Sequence, residues 1–343
     1  MKALQLSAYR QLEIVDLPTP RPAEDELLIR IQACGICGSD VHGYDGSTGR
    51  RLPPMVMGHE AAGLVESVGS AVANFRVGDR VTFDSTVYCG KCFYCLRGQV
   101  NLCEAREVIG VSTPAYRRMG AFAEFVAVPA RIAYPLPENM PFRHAALIEA
   151  VSVAVHAVSL TPIALDDTVV VVGAGVIGLL ALQAARAAGA GRVFVVDVDD
   201  TRLELARSLG ASHTFNSRNA DMVPQILALT AGRGADAAME CVGIAGTVKL
   251  ALDSVRKGGA VTLVGNLAPT IEFGLQSAVT RQIRLQGSCA SSGEYPACIS
   301  LMARGAIRVE PLLSAVAPLA AGAAWFRRLY DREPGLMKVV LEP

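Results

Sequence analysis

Four cysteines stand close together at positions 89, 92, 95 and 103, in the pattern C-x2-C-x2-C-x7-C. Thiolates at such close, regular spacing can converge on one zinc ion and hold together a segment that otherwise reads as a loop. The alternative is two disulfides, which need an oxidising compartment, and the first residues of the sequence do not have the pattern of an export signal. We therefore expect Cys89, Cys92, Cys95 and Cys103 to bind a structural zinc.

A second set of metal donors lies nearer the start of the sequence. Cys37 is followed by Gly-Ser-Asp, and His59 and Glu60 complete a Gly-His-Glu triplet. A thiolate with an imidazole is a common basis for a zinc site that keeps one position open for a substrate. Each residue alone is more often structural, so the expectation depends on the rest of the sequence. Ser39 and Asp40 could instead cap a helix that follows them.

A glycine-rich turn, Gly173-Ala-Gly-Val-Ile-Gly178, follows an apolar strand and opens an apolar helix. Glycines at these positions permit a tight turn, close approach of a pyrophosphate and close packing of helix on strand. Asp197 ends the next strand, where a carboxylate can bind both ribose hydroxyls and would repel a 2′-phosphate, so NAD is favoured over NADP. The expected cofactor contacts are Gly173, Gly175, Val176, Ile177, Gly178, Asp197, Arg202 and Val264.

The chain of 343 residues is long enough for two domains. Up to about residue 151, short strands separated by glycine and proline turns predict a mostly β domain. Beyond it, strands alternate with alanine-rich helical segments, which predicts a doubly wound parallel sheet and an α/β fold class. The six strands expected there cover residues 168–172, 192–196, 213–215, 236–240, 260–264 and 283–286. Helices are expected at residues 297–303 and 320–330.

Composition narrows the range of partners. The formal net charge is zero and no basic stripe is visible, which argues against nucleic acid as a partner. The most apolar run, residues 168–182, is interrupted by three glycines and is too short for a membrane span. We expect a soluble, cytoplasmic protein that acts on a small molecule and does not bind membranes.

Taken together, these motifs resemble the zinc-dependent medium-chain dehydrogenase/reductase superfamily over nearly the whole chain, and most closely its sorbitol dehydrogenase-like polyol dehydrogenases. The motifs in family order are Cys-Gly-Ser-Asp-Val-His at 37–42, Gly-His-Glu at 58–60, the four cysteines, Leu-Ile-Glu at 147–149 and the glycine-rich turn. The resemblance implies a GroES-like catalytic domain formed by residues 1–151 and 287–343. A Rossmann domain that binds NAD is implied for residues 152–286.

The same resemblance implies roles for individual residues and two zinc ions per chain. Cys37 and His59 would bind the catalytic zinc, with Glu60 or Glu149 as a direct or water-separated ligand. Ser39 would take the proton of the substrate hydroxyl and pass it through the nicotinamide ribose to His42. Asp40 would fix the imidazole from the far side, as outer partners of metal-bound histidines do. A homodimer or homotetramer is expected by analogy with the family.

The substrate is less narrowly predicted. The leading hypothesis is hydride transfer between NAD and a secondary hydroxyl or ketone of a polyol, either free or phosphorylated as in galactitol-1-phosphate dehydrogenases. Residues 288–291 lack the arginine that many sorbitol dehydrogenases carry there, and a phosphate could be held by Arg50, Arg51, Arg117 or Arg118. A threonine dehydrogenase and a non-catalytic dinucleotide sensor are the alternatives.

Overall fold

The computed structural model describes residues 1–113, 116–218 and 221–343, which form two compact units. Unit 1 comprises residues 1–149, 291–303 and 309–343, and unit 2 comprises residues 150–290 and 304–308. Segment 304–308 joins unit 2 because Gln183 exchanges hydrogen bonds with the backbone of Arg308, at 2.8 and 3.1 Å. The sequence predicts domain boundaries at 151/152 and 286/287. The units change at 149/150 and at 290/291, which are within four residues of these positions.

The elements of the first part of unit 1 are β1 (Lys2–Ala8), β2 (Gln11–Asp16), β3 (Glu26–Gly35), α1 (Gly38–Gly43), β4 (Met55–Val56), β5 (Glu60–Val68), β6 (Arg80–Phe83), β7 (Thr86–Val87), β8 (Glu107–Ile109), β9 (Arg117–Arg118), β10 (Phe125–Pro129), β11 (Ala133–Pro135) and α2 (Phe142–Ala145). Helix α3 (Ile148–Leu160) leads into unit 2, which contains β12 (Thr168–Val172), α4 (Val176–Ala187), β13 (Arg192–Asp197), α5 (Asp200–Ser208), β14 (His213–Asn216), α6 (Met222–Leu229), β15 (Ala235–Glu240), α7 (Ala245–Ser254), β16 (Val255–Leu263), α8 (Leu275–Thr280) and β17 (Arg284–Gly287). The chain returns to unit 1 with α9 (Tyr295–Ala303), β18 (Leu313–Pro318), α10 (Gly322–Tyr330) and β19 (Lys338–Glu342).

Strand β3 organises the main sheet of unit 1. Most of its ten residues are apolar and buried, although Arg30 is exposed, and it pairs antiparallel with β5, β10 and β19. Among the described residues, the order along this sheet is β11-β6-β5-β3-β19-β18. Phe83, Phe122 and Phe326 lie in the core that packs against it. The sheet therefore brings the last strand of the chain beside strands from its beginning.

Unit 2 contains a parallel sheet with the strand order β14-β13-β12-β15-β16-β17 among the described residues. Strand β12 lies near its middle and consists of Thr168 and four valines, all buried, as expected for a strand covered on both faces. The order reverses between β12 and β15, which is the point where such sheets bind ligands at the carboxyl ends of their strands. The predicted α/β fold class with a doubly wound parallel sheet is confirmed.

One helical run, Phe142–Leu160, is long and apolar enough by length and composition to cross a membrane, and 61% of it is buried inside the protein. Core helices of globular domains pass the same test, so the run is weak evidence for a span. It does not overlap residues 168–182, the apolar run noted in the sequence.

Candidate metal sites and dinucleotide site

The register of β3 against β5 brings the first set of metal donors together. Gly35 pairs with Glu60, so Cys37, just after β3, and His59, just before β5, lie at the same end of the sheet. One donor atom from each of Cys37, His59 and Glu60 lies within 4.8 Å of the others. The fold thus assembles a compact group from residues more than twenty positions apart in the sequence.

His59 is buried between two side chains of α1. Its Nδ1 lies 3.4 Å from Asp40 Oδ1, and its Nε2 lies 3.4 Å from Ser39 Oγ. With Nδ1 turned to the carboxylate, Nε2 is the nitrogen available to a metal, and Asp40 is placed as its outer partner. The N-cap of α1 is Cys37, whose Sγ accepts the Ser39 N–H at 3.5 Å. Asp40 completes a capping box by accepting the Cys37 N–H at 3.4 Å, so of the two residues considered as caps Asp40 contributes and Ser39 does not.

The charges of this group suit a cation. Burial opposes protonation of His59, but Asp40 and Cys37 outweigh it and raise the His59 pKa well above its ordinary value. The pKa of Asp40 is lowered to about 2 because His59 and Arg51 outweigh the cost of its burial. A donor set that holds a proton this firmly fits a divalent metal ion, which would take the place of that proton.

Glu60 is held from behind by a buried lysine. Both of its carboxylate oxygens accept hydrogen bonds from Lys338 Nζ, at 2.8 and 2.7 Å, and Lys338 also donates to the Ile36 carbonyl at 3.0 Å. Glycine at position 35 leaves room for the present position of this carboxylate, since a Cβ there would lie 2.4 Å from Glu60 Oε2. Lys338 is not among the residues predicted from sequence, although a lysine directly before the apolar run Val339–Leu341 was a signal for it.

Glu149 lies in the first turn of α3 and is partly buried. Within the part of the chain that the structure describes, it is not one of the donors that converge within 4.8 Å. Burial raises its pKa to about 7, and the nearby Glu60 and Asp84 act in the same direction, against the opposing effect of His59. A carboxyl that titrates near neutral pH is suited to exchange protons or to bind a metal.

Asp84 is a buried acid that the sequence analysis did not identify. Its carboxylate accepts hydrogen bonds from the Thr86 N–H at 2.8 Å and from Ser291 Oγ at 3.1 Å. These bonds offset only part of the desolvation, and burial raises its pKa to about 6. The charge of Asp84 therefore opposes folding at neutral pH.

We expect Asp84→Asn to stabilise the protein above about pH 6. Since the folded-state pKa of Asp84, about 6, exceeds its ordinary value of 3.8, the folded state binds the proton more tightly. The free energy of unfolding then falls as pH rises from about 4 to about 6, by about 3 kcal/mol in all. Chemical denaturation from pH 4 to 8 should show a flatter profile for the variant. Replacing the exposed Asp331 by asparagine is the control, and an Asp84→Asn profile parallel to the wild-type profile would contradict this account.

The other predicted residues of this site lie on or beside α1. Ser39 and His42 are exposed and stand one helical turn apart, and Ser39 Oγ accepts a hydrogen bond from Arg51 Nη2 at 3.3 Å. Of the arginines considered for a phosphate, Arg51 is buried and pairs with Asp40 at 3.0 Å, and Arg118 pairs with two glutamates. The guanidinium groups of Arg51 and Arg118 are therefore already paired with carboxylates of the protein. Arg50 and Arg117 are exposed.

The second metal-donor group is formed by Cys89, Cys92, Cys95 and Cys103, and we call the segment that carries them, residues 89–103, the four-cysteine lobe. Its sulfur atoms lie within 4.8 Å of one another and all are free thiols. Two short 3-10 turns, Cys95–Arg97 and Val100–Leu102, shape the lobe, and Gly98 ends the first of them in a left-handed conformation. Backbone N–H groups, first that of Cys95, lower the Cys92 pKa to about 6 and so favour the thiolate that binds zinc.

The glycine-rich turn joins β12 to α4. Gly173 adopts φ +99°, and a Cβ at Gly178 would lie 1.7 Å from the Gly173 carbonyl oxygen, so neither position accepts a side chain. A Cβ at Gly175 would meet nothing within 4 Å, and no side chain caps α4 at this residue. The helix N-terminus thus offers its N–H groups beside open space, as a pyrophosphate site requires.

Asp197 ends β13 beside this turn. Its Oδ2 accepts the Ala174 N–H at 2.5 Å, and its Oδ1 accepts the backbone N–H groups of Val198 and Asp199 at 2.7 and 3.0 Å. Arg202 lies 3.9 Å from Asp199, which caps α5. Val264, the remaining predicted contact, follows β16 and donates its N–H to the Glu240 carbonyl at 2.8 Å.

Two family models match this chain. One is described as an alcohol dehydrogenase GroES-like domain and covers residues 23–138, and the other is described as a zinc-binding dehydrogenase and covers residues 176–304. The chain is 36% identical to the sorbitol dehydrogenase of Bacillus subtilis (strain 168) over 318 residues, which cover 92% of this chain and 89% of that protein.

Solved structures agree with this match over the full length. Galactitol-1-phosphate dehydrogenase from Escherichia coli superposes with a TM-score of 0.92 at 29% identity, covering 100% of both chains. A zinc-binding dehydrogenase from Sinorhizobium meliloti 1021, bound to NADP, gives a TM-score of 0.91 at 33% identity and covers 100% of this chain and 99% of that one. The protein therefore belongs to the zinc-dependent medium-chain dehydrogenase/reductase superfamily and is an oxidoreductase of its sorbitol dehydrogenase-like branch.

Proposed function

We propose that this oxidoreductase transfers a hydride between NAD and a secondary hydroxyl of a polyol, free or phosphorylated. The observation that carries the proposal is the convergence of Cys37, His59 and Glu60 within 4.8 Å. Relatives named for sorbitol and for galactitol-1-phosphate support a polyol substrate. In the forward direction, the carbinol gives its carbon-bound hydrogen and two electrons to NAD as hydride and its hydroxyl proton to the protein. The products are a ketone, NADH and a proton.

The residues of unit 1 would divide this work. Cys37 and His59 would hold a zinc ion, with Glu60 or Glu149 as a further ligand, and the bound zinc would supply a Lewis acid that lowers the pKa of the substrate hydroxyl. Asp40 lies 3.4 Å from Nδ1 of His59 and would fix its imidazole once Nε2 binds the metal. Ser39 is exposed beside this group and would accept the hydroxyl proton, with His42 as its outlet to solvent.

The four-cysteine lobe would hold a second zinc with a structural role. Its thiolate-rich donor set matches closed zinc sites, which keep no position for a substrate. We therefore propose two zinc ions per chain, one for catalysis and one for folding of the lobe.

Preference for NAD is proposed from the carboxylate of Asp197, although the relative from S. meliloti was solved with NADP. We expect Asp197→Asn to lower kcat/KM for NAD by roughly 10- to 100-fold, since it weakens charge-assisted bonds to the ribose, and to reduce the preference over NADP. The amide oxygen replaces only one of the two carboxylate oxygens, so it can accept the Ala174 N–H or the N–H groups of Val198 and Asp199, but not both. NADH binding and the circular dichroism spectrum are therefore measured alongside, to check that the turn persists. Initial rates with each cofactor measure the ratio. The neighbouring acid Asp200, which pairs with Asn216, gives the control variant Asp200→Asn; an unchanged ratio in Asp197→Asn would refute the assignment.

We also propose a cytoplasmic homodimer or homotetramer. Strand β17 is an edge of the parallel sheet within the described residues, and Leu285 on it is partly exposed, as are Leu275 and Val279 of α8. An uncovered strand edge beside apolar side chains is a surface that a second copy could cover. Light scattering of the purified protein measures the assembly directly.

The proposed function is tested by following NADH formation with sorbitol, galactitol and galactitol-1-phosphate, and with threonine as a contrasting substrate. Turnover of a polyol that a chelator abolishes and zinc restores would support the proposal. A preference between galactitol and its 1-phosphate would establish whether the pocket recognises phosphate. Zinc-loaded protein that binds NADH but oxidises only threonine, or no substrate, would overturn the polyol assignment.

A further inference from the structure

The buried guanidinium of Arg51 contacts two residues of α1 at once. Its Nη2 donates to Asp40 Oδ1 at 3.0 Å and to Ser39 Oγ at 3.3 Å. Arg51 is 4% exposed and Asp40 is fully buried. A single nitrogen therefore links the carboxylate that faces His59 to the hydroxyl that lies beside the same imidazole.

Stability alone does not account for this arrangement. Burying an ion pair has a desolvation cost that often equals or exceeds the attraction, so an apolar residue could serve packing as well. In addition, Nε of Arg51 is buried without a hydrogen-bond partner within the described residues, which adds a cost of roughly 1–3 kcal/mol. A role in positioning neighbouring side chains explains better why an arginine with these costs is present at this buried position.

The surrounding backbone is shaped to admit Arg51. A Cβ at Gly43, the last residue of α1, would lie 2.3 Å from Arg51 Cγ. The Arg51 side chain therefore packs directly against α1 at a position where the helix has no side chain. The next residue, Leu52, is anchored by a hydrogen bond from its N–H to Ser112 Oγ. Ser112 also donates its N–H to the Arg50 carbonyl at 3.4 Å, so the residues on both sides of Arg51 are hydrogen-bonded to Ser112.

We propose that Arg51 is a positioning residue: its hydrogen bonds hold the side chains of Ser39 and Asp40 in the orientation that the reaction needs. Because a guanidinium only donates hydrogen bonds, it occupies an acceptor site of Ser39 Oγ and leaves the Ser39 O–H to turn towards the substrate side. The same nitrogen keeps Asp40 against Nδ1 of His59, which orients Nε2. The Ser39 part of this inference rests on the proposed function, whereas the Asp40 part concerns the metal site alone.

The test compares Arg51→Met, Arg51→Lys and the matched control Arg80→Met. Arg80 is another arginine of unit 1 with a buried unpartnered Nε, but it bonds the Met140 carbonyl and stacks on Phe142 instead. We expect Arg51→Met to lower kcat for the polyol about 10- to 100-fold with little change in KM for NAD, since it removes a positioning contact and not a binding one. Arg51→Lys should recover most of the loss, and Arg80→Met should stay within about twofold of wild type.

Cobalt(II) substitution gives a readout that does not depend on polyol turnover. The visible absorption of the site is obtained by subtracting the spectrum of Cys37→Ser, which retains the lobe. Arg51→Met should shift this difference spectrum, whereas Arg80→Met should not. If wild-type protein oxidises no polyol, the proposed function fails while the spectra still decide whether Arg51 positions Asp40 and His59.

A second variant tests the inference independently, in case Arg51→Met does not fold. Gly43→Ala keeps the arginine but displaces its stem, and it should reproduce both the fall in kcat and the spectral shift in milder form. The inference is overturned if folded Arg51→Met keeps wild-type kcat and the wild-type cobalt spectrum. It is equally overturned if Arg80→Met shows the same kinetic and spectral changes, because the role would then be structural only.

Discussion

Replacing Cys37 by serine is expected to lower kcat/KM for polyol oxidation by at least about 10³-fold while the fold persists. Removing the thiolate takes one donor from the group at the end of β3, and several kcal/mol of charge stabilisation are lost with it. Serine is a strongly preferred N-cap residue, so α1 should still begin at the same place. The loss should therefore reflect the site and not misfolding.

Three measurements on Cys37→Ser separate these possibilities. Zinc content should fall from two ions per chain to one, NADH binding should be retained, and the circular dichroism spectrum should match that of wild type. Cys289→Ser removes a thiol outside both donor groups and should change none of them. Full zinc content with wild-type turnover in Cys37→Ser would show that this residue is not a ligand.

Removal of the proposed structural zinc, by Cys95→Ser, is expected to unfold the four-cysteine lobe. The lobe has little core of its own: Leu96 is 73% exposed and Phe93 is 54% exposed. The lobe has no regular secondary structure beyond two short turns, so we expect its order to depend on the proposed zinc. Structural zinc contributes on the order of 10 kcal/mol to such small segments. We expect an unfolded lobe and a lower melting temperature.

Limited trypsin digestion measures this unfolding locally, since Lys91 and Arg97 are exposed within the lobe. Cleavage at these two residues should be at least about tenfold faster in Cys95→Ser than in wild type, because local opening exposes the backbone to the protease. Cys37→Ser is the matched control, as it loses the other zinc and should keep the lobe resistant. Equal cleavage rates in all three proteins would contradict a metal-dependent lobe.

Local motifs made much of the fold predictable. The glycine-rich turn, the strand at Thr168–Val172 and the cluster of four cysteines each lie within a short stretch of chain, so residue types and spacing are sufficient to predict them. The strand expected at residues 260–264 is observed as Val255–Leu263 instead. Gly258 and Gly259 lie inside this longer strand, near a register shift against β15.

Contacts between distant parts of the sequence could not be predicted in this way. Lys338 reaches Glu60 only because β19 pairs with β3, and that register depends on the tertiary packing of unit 1. Arg51 is a candidate from sequence because a phosphate needs cations to hold it, but this arginine is buried against α1. Both residues are charged groups inside a core, where partners and not residue type determine the role.

The pairing of Glu60 with Lys338 also bears on how the protein is made. A ribosome adds residues from the N-terminus, and domains tend to fold once their own residues have emerged. Nearly all of unit 2 lies between residues 150 and 290, so its sheet can form before the last strands of unit 1 have been synthesised. The carboxylate of Glu60 acquires its buried countercharge only after residue 338 has been added, some 278 positions later. Assembly of this metal-donor group therefore requires that β19 has been synthesised, and nascent chains that stop before β19 would carry an uncompensated acid at its centre.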